Sequence, residues 1–202
     1  IIVCATSGFA GLKAAYIAAK TGKKILLANK ESIVAGGDLI LPLAKKNNSE
    51  IIPIDSEHNA IFQCLEGKES NEVSRLILTA SGGPFRQSSQ EKIQKVTPKQ
   101  ALKHPTWEMG PKITIDSSTL FNKGLEMIEA KWLFNIDMDR VDVIVHPQSV
   151  IHSMVEFIDG SVLAQLSVTD MCFPIQYAIT WPDRVPNTLK PLNFSQIGAL
   201  EF

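Results

Sequence analysis

The sequence predicts an α/β fold, with a parallel sheet near the amino end followed by a unit of mixed strands and helices. Three observations carry this expectation. Residues 1–30 run strand, glycine turn, helix, strand, an order whose natural product is a parallel sheet. "VSRLILTA" (73–80) and "VDVIV" (141–145) are apolar runs of strand length bounded by polar residues. Residues 118–134 repeat apolar side chains at the helical period.

Taken in order, Ile1 to Thr6 reads as a strand, "SGFAG" as a turn, and "LKAAYIAAKTG" as a helix stopped by Gly22. "KKILLANK" is the second strand, and "ESIVAGGDLILPLAKKN" a helix interrupted near Gly36 and Gly37. "SEIIPI" is the third strand. Asp55 then falls just past a strand's carboxyl end, where open α/β sheets place ligands. A helix is expected from Asn59 to Leu65, then an exposed loop at "GKESNE" and the strand 73–80 ending in "SGGPF". Residues 86–111 are polar, carry Pro98, Pro105 and Pro111, and predict short helices in a long mobile connection. "KITI" reads as a strand, 118–134 as a helix, and "VDVIV", "SMVEFI" and "VLAQLSV" as strands, the last two joined through "DG". "PNTLKPLNF" reads as a linker.

A formal net charge of −1 excludes partners held by bulk electrostatics, so neither nucleic acid nor an acidic membrane surface is expected. No stretch reaches the roughly 18 apolar residues of a membrane span. Cys4, Cys64 and Cys172 lie far apart without CxxC spacing, which predicts neither a disulfide framework nor a thiolate metal site, and suits a reducing compartment. The chain opens without Met inside an apparent strand and is read as an internal piece of a longer protein.

Chemistry concentrates in a few stretches. In "PIDSEHN", side chains two apart on an extended backbone point the same way, so Asp55 and Glu57 converge. At about 4 Å and an effective dielectric of about 20, like charges repel by roughly 4 kcal/mol. A shared proton, a basic partner or a hard cation such as Mg²⁺ or Mn²⁺ must offset that. The alternative is a helix cap at Asp55 or Ser56 with a solvated Glu57. In "IDSSTLFNKGLEMIEAKWLF", Ser117 and Ser118 read as N-caps, and Asn122, Lys123 and Glu126 share a face with Ser118 and Thr119. That set suits a phosphate beside an acid, and a plain amphipathic helix has the same pattern. "ASGGPF" matches neither a P-loop nor GxGxxG; its glycines at a strand end either expose backbone N–H groups to a phosphate or simply make a tight turn, the more frequent use of such a pair. "HPTWEMG" places His104, Trp107 and Met109 in a loop of lid length, where the aromatic residues either close a site or pin the loop to the core. His146 and His152 lie in strand-like sequence and read as hydrogen-bonded core histidines. Asn29, Lys30 and Glu31 end a strand, at a nucleotide-facing edge or as caps.

Together "LLANKES", "PIDSEHNAIFQ", "SGGPF", "HPTWEMG", "IDSSTLFNKGLEMIEAKWLFN" and "HPQSVIHSMVEFIDGSVLAQL" closely resemble the 1-deoxy-D-xylulose 5-phosphate reductoisomerase family, in the family's order and over essentially the whole chain. The resemblance implies the end of a Rossmann-like NADPH-binding domain at 1–54. An α+β catalytic domain with a mixed sheet and a mobile flap would follow at 55–181, and then a linker at 182–202 toward a helical domain. It implies conversion of 1-deoxy-D-xylulose 5-phosphate to 2-C-methyl-D-erythritol 4-phosphate in the non-mevalonate route to isoprenoids. NADPH and Mg²⁺ or Mn²⁺ would be required, with Co²⁺ a further candidate.

By residue, the resemblance makes Asp55, Glu57 and Glu126 metal ligands, and Ser81, Ser117, Asn122 and Lys123 phosphate contacts. Lys30 and Ser56 become substrate contacts, with Lys30, Glu57 and His104 catalytic and Glu57, His104 and Glu126 also facing substrate. Trp107 and Met109 become flap residues, and Asn29, Glu31 and Gly110 lie near NADPH. His146 corresponds to a histidine near the site. A homodimer in the cytoplasm is implied, or in a plastid where a transit peptide precedes the chain. The dinucleotide fingerprint and the helical domain would lie outside these 202 residues, which are therefore expected to bind NADPH weakly and turn over little by themselves. A metal-dependent phosphosugar isomerase or aldolase without a redox step, and a non-catalytic phosphate-binding module, remain as alternatives.

Overall fold

The computed structural model describes residues 1–202. Strand β1 (Ile2–Cys4) leads through a 3₁₀ turn at Gly8–Gly11 into helix α1 (Leu12–Lys20), which ends before Gly22 at φ +64°. Strand β2 (Ile25–Leu27), helix α2 (Lys30–Lys46) and strand β3 (Ile51–Pro53) complete a three-stranded parallel sheet in the order β1-β2-β3. Helix α2 breaks at Gly36, whose φ of −145° and ψ of 24° leave the helical region, as the glycine pair predicts. The alanines of α1 allow it to lie close to α2, and Ala15, Ala18, Ala19, Ile33 and Ile40 close an apolar core over β2.

Helix α3 (Ser56–Cys64) starts three residues earlier than its sequence suggests. After an exposed turn, strand β4 (Val73–Ala80) matches its expected bounds. The connection that follows holds short helices α4 (Gln90–Ile93) and α5 (Pro98–Ala101). "KITI" is not a strand: it lies inside helix α6 (Pro111–Ser118), where Pro111 occupies the first turn and needs no N–H partner. Helix α7 (Phe121–Phe134) begins only after a break at Leu120, whose φ of 61° is left-handed. Ser117 and Ser118 therefore end α6 instead of capping α7, and Ser118 Oγ donates to Ile115 O at 2.7 Å. Strands β5 (Val141–Val145), β6 (Ile151–Phe157) and β7 (Val162–Leu166) join β4 in a four-stranded mixed sheet, order β5-β4-β6-β7. Only β4 and β5 run parallel. Helix α8 (Cys172–Thr180) and the short α9 (Phe194–Ile197) follow.

The second core joins Ile61 of α3, Leu76 and Leu78 of β4, Ala130 of α7 and Val155 of β6. Helix α7 also leans on α2, where Gly37 makes the approach feasible: a Cβ there would stand 2.6 Å from the Trp132 indole. The amino ends of α2 and α3 and the first turns of α7 thus meet where the two sheets adjoin. No helix is long and apolar enough to cross a membrane.

Candidate active site

These converging ends floor a cavity of about 290 Å³. Ile54 N donates to Leu27 O at 2.7 Å and so extends β3 by one pairing, after which Asp55 turns the chain into α3. Asp55 occupies the N-cap position without a side-chain capping bond, and Glu57 sits in the first helical turn. Their carboxylates converge because they flank a helix start. Asp55 and Glu57 thus do not lie along one side of an extended strand, and Glu57 is held by Ser56 and Lys123 instead of being solvated. Ser56 Oγ donates to Glu57 Oε2 at 2.5 Å.

Glu126 comes from α7, and its carboxylate with those of Asp55 and Glu57 brings one oxygen of each within 4.8 Å of the others. Two lysines are threaded among them. Lys30 Nζ donates to Asn122 Oδ1 at 2.9 Å and Glu126 Oε1 at 3.1 Å, and pairs with Asp55. Lys123 Nζ donates to Glu57 Oε1 at 2.8 Å and Thr79 O at 2.5 Å, and pairs with Glu126. Asn122 Nδ2 also donates to Glu126. The helical face predicted for Asn122, Lys123 and Glu126 is real, whereas the break at Leu120 takes Ser118 and Thr119 off it.

The environment separates the carboxyls. Burial pushes the Glu57 carboxyl up, but the Lys123 and Lys30 charges and the hydrogen bonds from Lys123 and Ser56 outweigh it, holding it well below the usual range. Burial and the Glu57 charge push Glu126 up, against the pull of both lysines. Burial favours neutral Lys30, yet Asp55, Glu126, Glu129 and Glu57 together raise it well above its ordinary value. Three carboxylates against two ammonium groups leave the floor one charge negative. An oxygen-only set of three converging carboxylates with residual negative charge fits a hard divalent cation.

The walls come from loops. Gly83, at φ +66°, lies where a Cβ would stand 2.8 Å from Ser117 O, so the turn after β4 presses on the end of α6, and Ser81 and Ser117 both line the cavity. That close approach, to protein backbone, is what the glycine serves. Ser81 Oγ lies 3.0 Å from His104 Nε2. His104 Nδ1 accepts from Thr106 N and Trp107 N at 3.2 and 2.9 Å, so the ring is neutral and its proton sits on Nε2. Burial lowers its basicity in the same sense. Trp107 and Met109 line the cavity beside it, with the Trp107 ring 6.1 Å from that of His152.

Asn29, Glu31 and Gly110 surround an adjoining depression that shares Lys30 and Asn122 with the cavity. Asn29 Oδ1 caps α2 through Ser32 N at 3.1 Å, and its Nδ2 donates to Gly8 O and Glu31 Oε2, both at 2.9 Å. Glu31 pairs with Lys112. His146 is fully buried away from the cavity: Nδ1 donates to Glu201 O at 2.7 Å, Nε2 accepts from Val150 N at 3.1 Å, and the ring stacks on Phe202. Ser149, Met171 and His152 also line the cavity. His152 is core-like, as read, with Ser167 Oγ 2.8 Å from its Nε2, and it faces the site as well. Ser149 carried no sequence signal; its left-handed φ of 50° is visible only in the fold.

Three family models match the chain. They describe the 1-deoxy-D-xylulose 5-phosphate reductoisomerase (residues 1–37), the 1-deoxy-D-xylulose 5-phosphate reductoisomerase C-terminal domain (51–134) and the DXP reductoisomerase C-terminal domain (166–202). The chain is 56% identical over all its 202 residues to the 1-deoxy-D-xylulose 5-phosphate reductoisomerase of Protochlamydia amoebophila, covering 53% of that protein. It is 58% identical over 203 aligned positions to that of Thermoanaerobacter pseudethanolicus, again covering 100% of this chain and 53% of the relative. The chain belongs to the 1-deoxy-D-xylulose 5-phosphate reductoisomerase family. It spans about half the length of the curated relatives it matches. A crystal structure of the reductoisomerase in complex with NADPH, fosmidomycin and magnesium superposes with a TM-score of 0.94 at 47% identity, over 98% of this chain and 51% of that one. The Zymomonas mobilis reductoisomerase in complex with NADPH gives 0.91 at 46%, with the same coverage. The shared fold, a parallel sheet joined to a mixed sheet, is therefore the reductoisomerase one.

Proposed function

We propose that the protein carrying this chain is an NADPH- and divalent-metal-dependent reductoisomerase that converts 1-deoxy-D-xylulose 5-phosphate to 2-C-methyl-D-erythritol 4-phosphate for isoprenoid synthesis. The observation that carries the reading is the floor of Asp55, Glu57 and Glu126, an oxygen-only set with residual negative charge at the base of the cavity.

Bound there, Mg²⁺ or Mn²⁺ would supply Lewis-acid polarisation of a substrate oxygen, and NADPH beside Asn29, Glu31 and Gly110 would supply hydride. The chain's own residues do the rest. Lys30, kept charged by the surrounding carboxylates, stabilises negative charge developing on a substrate oxygen. His104 offers its Nε2 proton as a hydrogen-bond donor beside Ser81. Ser81, Ser117, Asn122 and Lys123 receive the phosphate, for which Lys123 exchanges a carboxylate partner, and Ser56 orients the substrate. Trp107 and Met109 exclude water over the rearranging carbon skeleton. In this reading residues 1–54 end a dinucleotide-binding domain, 55–181 form the catalytic domain and 182–202 lead to a further one. The isolated 202 residues turn over little. The whole protein works as a cytoplasmic homodimer.

NADPH absorbance during steady-state turnover tests this, using the protein carrying the chain, 1-deoxy-D-xylulose 5-phosphate, Mn²⁺ or none, and the Glu57→Gln variant. Metal-dependent loss of NADPH that the substitution abolishes is expected. A folded protein that consumes no NADPH with metal present would replace this reading with a redox-free isomerase or a phosphate-binding module.

A further inference from the structure

Directly behind the carboxylate floor lie two polar groups that the proposed chemistry does not use. Glu129, one turn after Glu126 on α7, has no exposed surface, and neither of its carboxyl oxygens has a hydrogen-bond partner. It faces His58 Nδ1, 3.4 Å from its Oε2 and equally without a hydrogen bond. The other ring nitrogen, Nε2, lies 2.9 Å from the backbone carbonyl of Glu126. A carbonyl only accepts, so Nε2 carries a proton and Nδ1 is left for Glu129.

A buried carboxyl without a partner is costly, and His58 Nδ1 is the polar atom set against Glu129, so the two side chains hold each other in place at the junction of α3 and α7. The imidazole also lies near-parallel to the Phe134 ring at 6.3 Å. His58 belongs to α3, adjacent to Glu57 and one turn after Asp55, whereas Glu126, Glu129 and Phe134 belong to α7. One ring therefore ties the helix carrying two floor carboxylates to the helix carrying the third.

We propose that Glu129 and His58 are a positioning pair that sets the spacing of Asp55 and Glu57 from Glu126, and thereby the cation affinity of the floor. The proposal rests on the cation reading above. The oxygens and nitrogen of Asp55, His58 and Glu129 also lie within 4.8 Å of one another, a grouping a second ion would fit. His58 and Glu129 have no surface through which an ion would arrive, and each already faces the other, which favours the pair over a second site.

The test is Mn²⁺ binding followed by the paramagnetic resonance of free Mn²⁺, in the protein carrying this chain and in Glu129→Leu, Glu129→Gln and the double variant His58→Leu with Glu129→Leu. One ion per chain is expected. Glu129→Leu weakens binding roughly tenfold or more, the usual scale for losing a group that orients metal ligands, whereas the Gln amide still donates to Nδ1 and stays within about threefold. Rescue by Gln separates positioning from mere packing. The double variant leaves no orphaned polar group and serves should Glu129→Leu fail to fold; it too binds weakly. Wild-type affinity in either Leu variant overturns the pair, and so does a second ion per chain. If the unsubstituted protein binds no Mn²⁺ the cation reading itself falls; if it binds and the folded variants bind equally, only the positioning pair falls.

Discussion

The apolar core over the parallel sheet and the charged centre between α2, α3 and α7 are almost equally closed to water. Ile33 is 0% exposed and Ile40 1%, and Glu126 is 1% and Lys123 6%. They are held together differently. The first is built from side chains close in sequence, repeating along α1 and α2, with nothing to satisfy but volume. The second draws on residues 30, 55–58, 79 and 122–129, and every charge in it depends on partners from another element. Equal burial thus conceals unequal tolerance. A core residue loses contact when trimmed, whereas a charge that loses its partner becomes a liability to its neighbours.

The largest difference is expected at Lys123. Replacing it by Met leaves Glu57 and Glu126 opposed with one ammonium fewer, and urea unfolding should register a loss of about 3–5 kcal/mol. Millimolar Mn²⁺ should return part of it; a loss below about 1 kcal/mol would place the two interiors on the same footing. Next comes Glu126→Gln, which should lower Mn²⁺ affinity by about a hundredfold, or about 2.7 kcal/mol, in a binding titration. An unchanged affinity would remove Glu126 from the ion site. In the apolar core, Ile33→Val should cost only about 1 kcal/mol and leave Mn²⁺ affinity unaltered. The smallest effect is one of pH. Burial lowers the basicity of His152, so between the ordinary imidazole value and its lower folded one the unfolded chain binds more protons. Stability should therefore fall as pH drops through that window, and His152→Gln should flatten the slope in unfolding curves taken from pH 7 to 5.

The same contrast explains what the sequence discloses. Strand β4 is legible to the residue because its apolar run is bounded by "NE" and "SGG". The break in α2 is legible because two adjacent glycines are poor helix formers. "KITI" misleads because Ile113 and Ile115 alternate as in a strand, while Pro111 at the first turn and the helix that follows belong to the other reading. The convergence of Asp55 and Glu57 is legible but its cause is not, since α3 begins at Ser56 without an apolar residue to announce it. The resemblance names Glu126 at once. Nothing local points to Glu129 or to its link with His58, because the two are paired only by the packing of α7 on α3.

Gly37 carries a consequence of another kind. It lies in the apolar part of the molecule, two turns along α2 from Lys30, and it lets the Trp132 indole of α7 rest on bare backbone. The absent side chain is a shim of zero thickness between two levers, one ending in an ammonium and the other in a carboxylate. Thickening it methyl by methyl would retune the distance between those tips while every polar atom kept its identity, a mechanical adjustment of electrostatics made from a place where no charge resides.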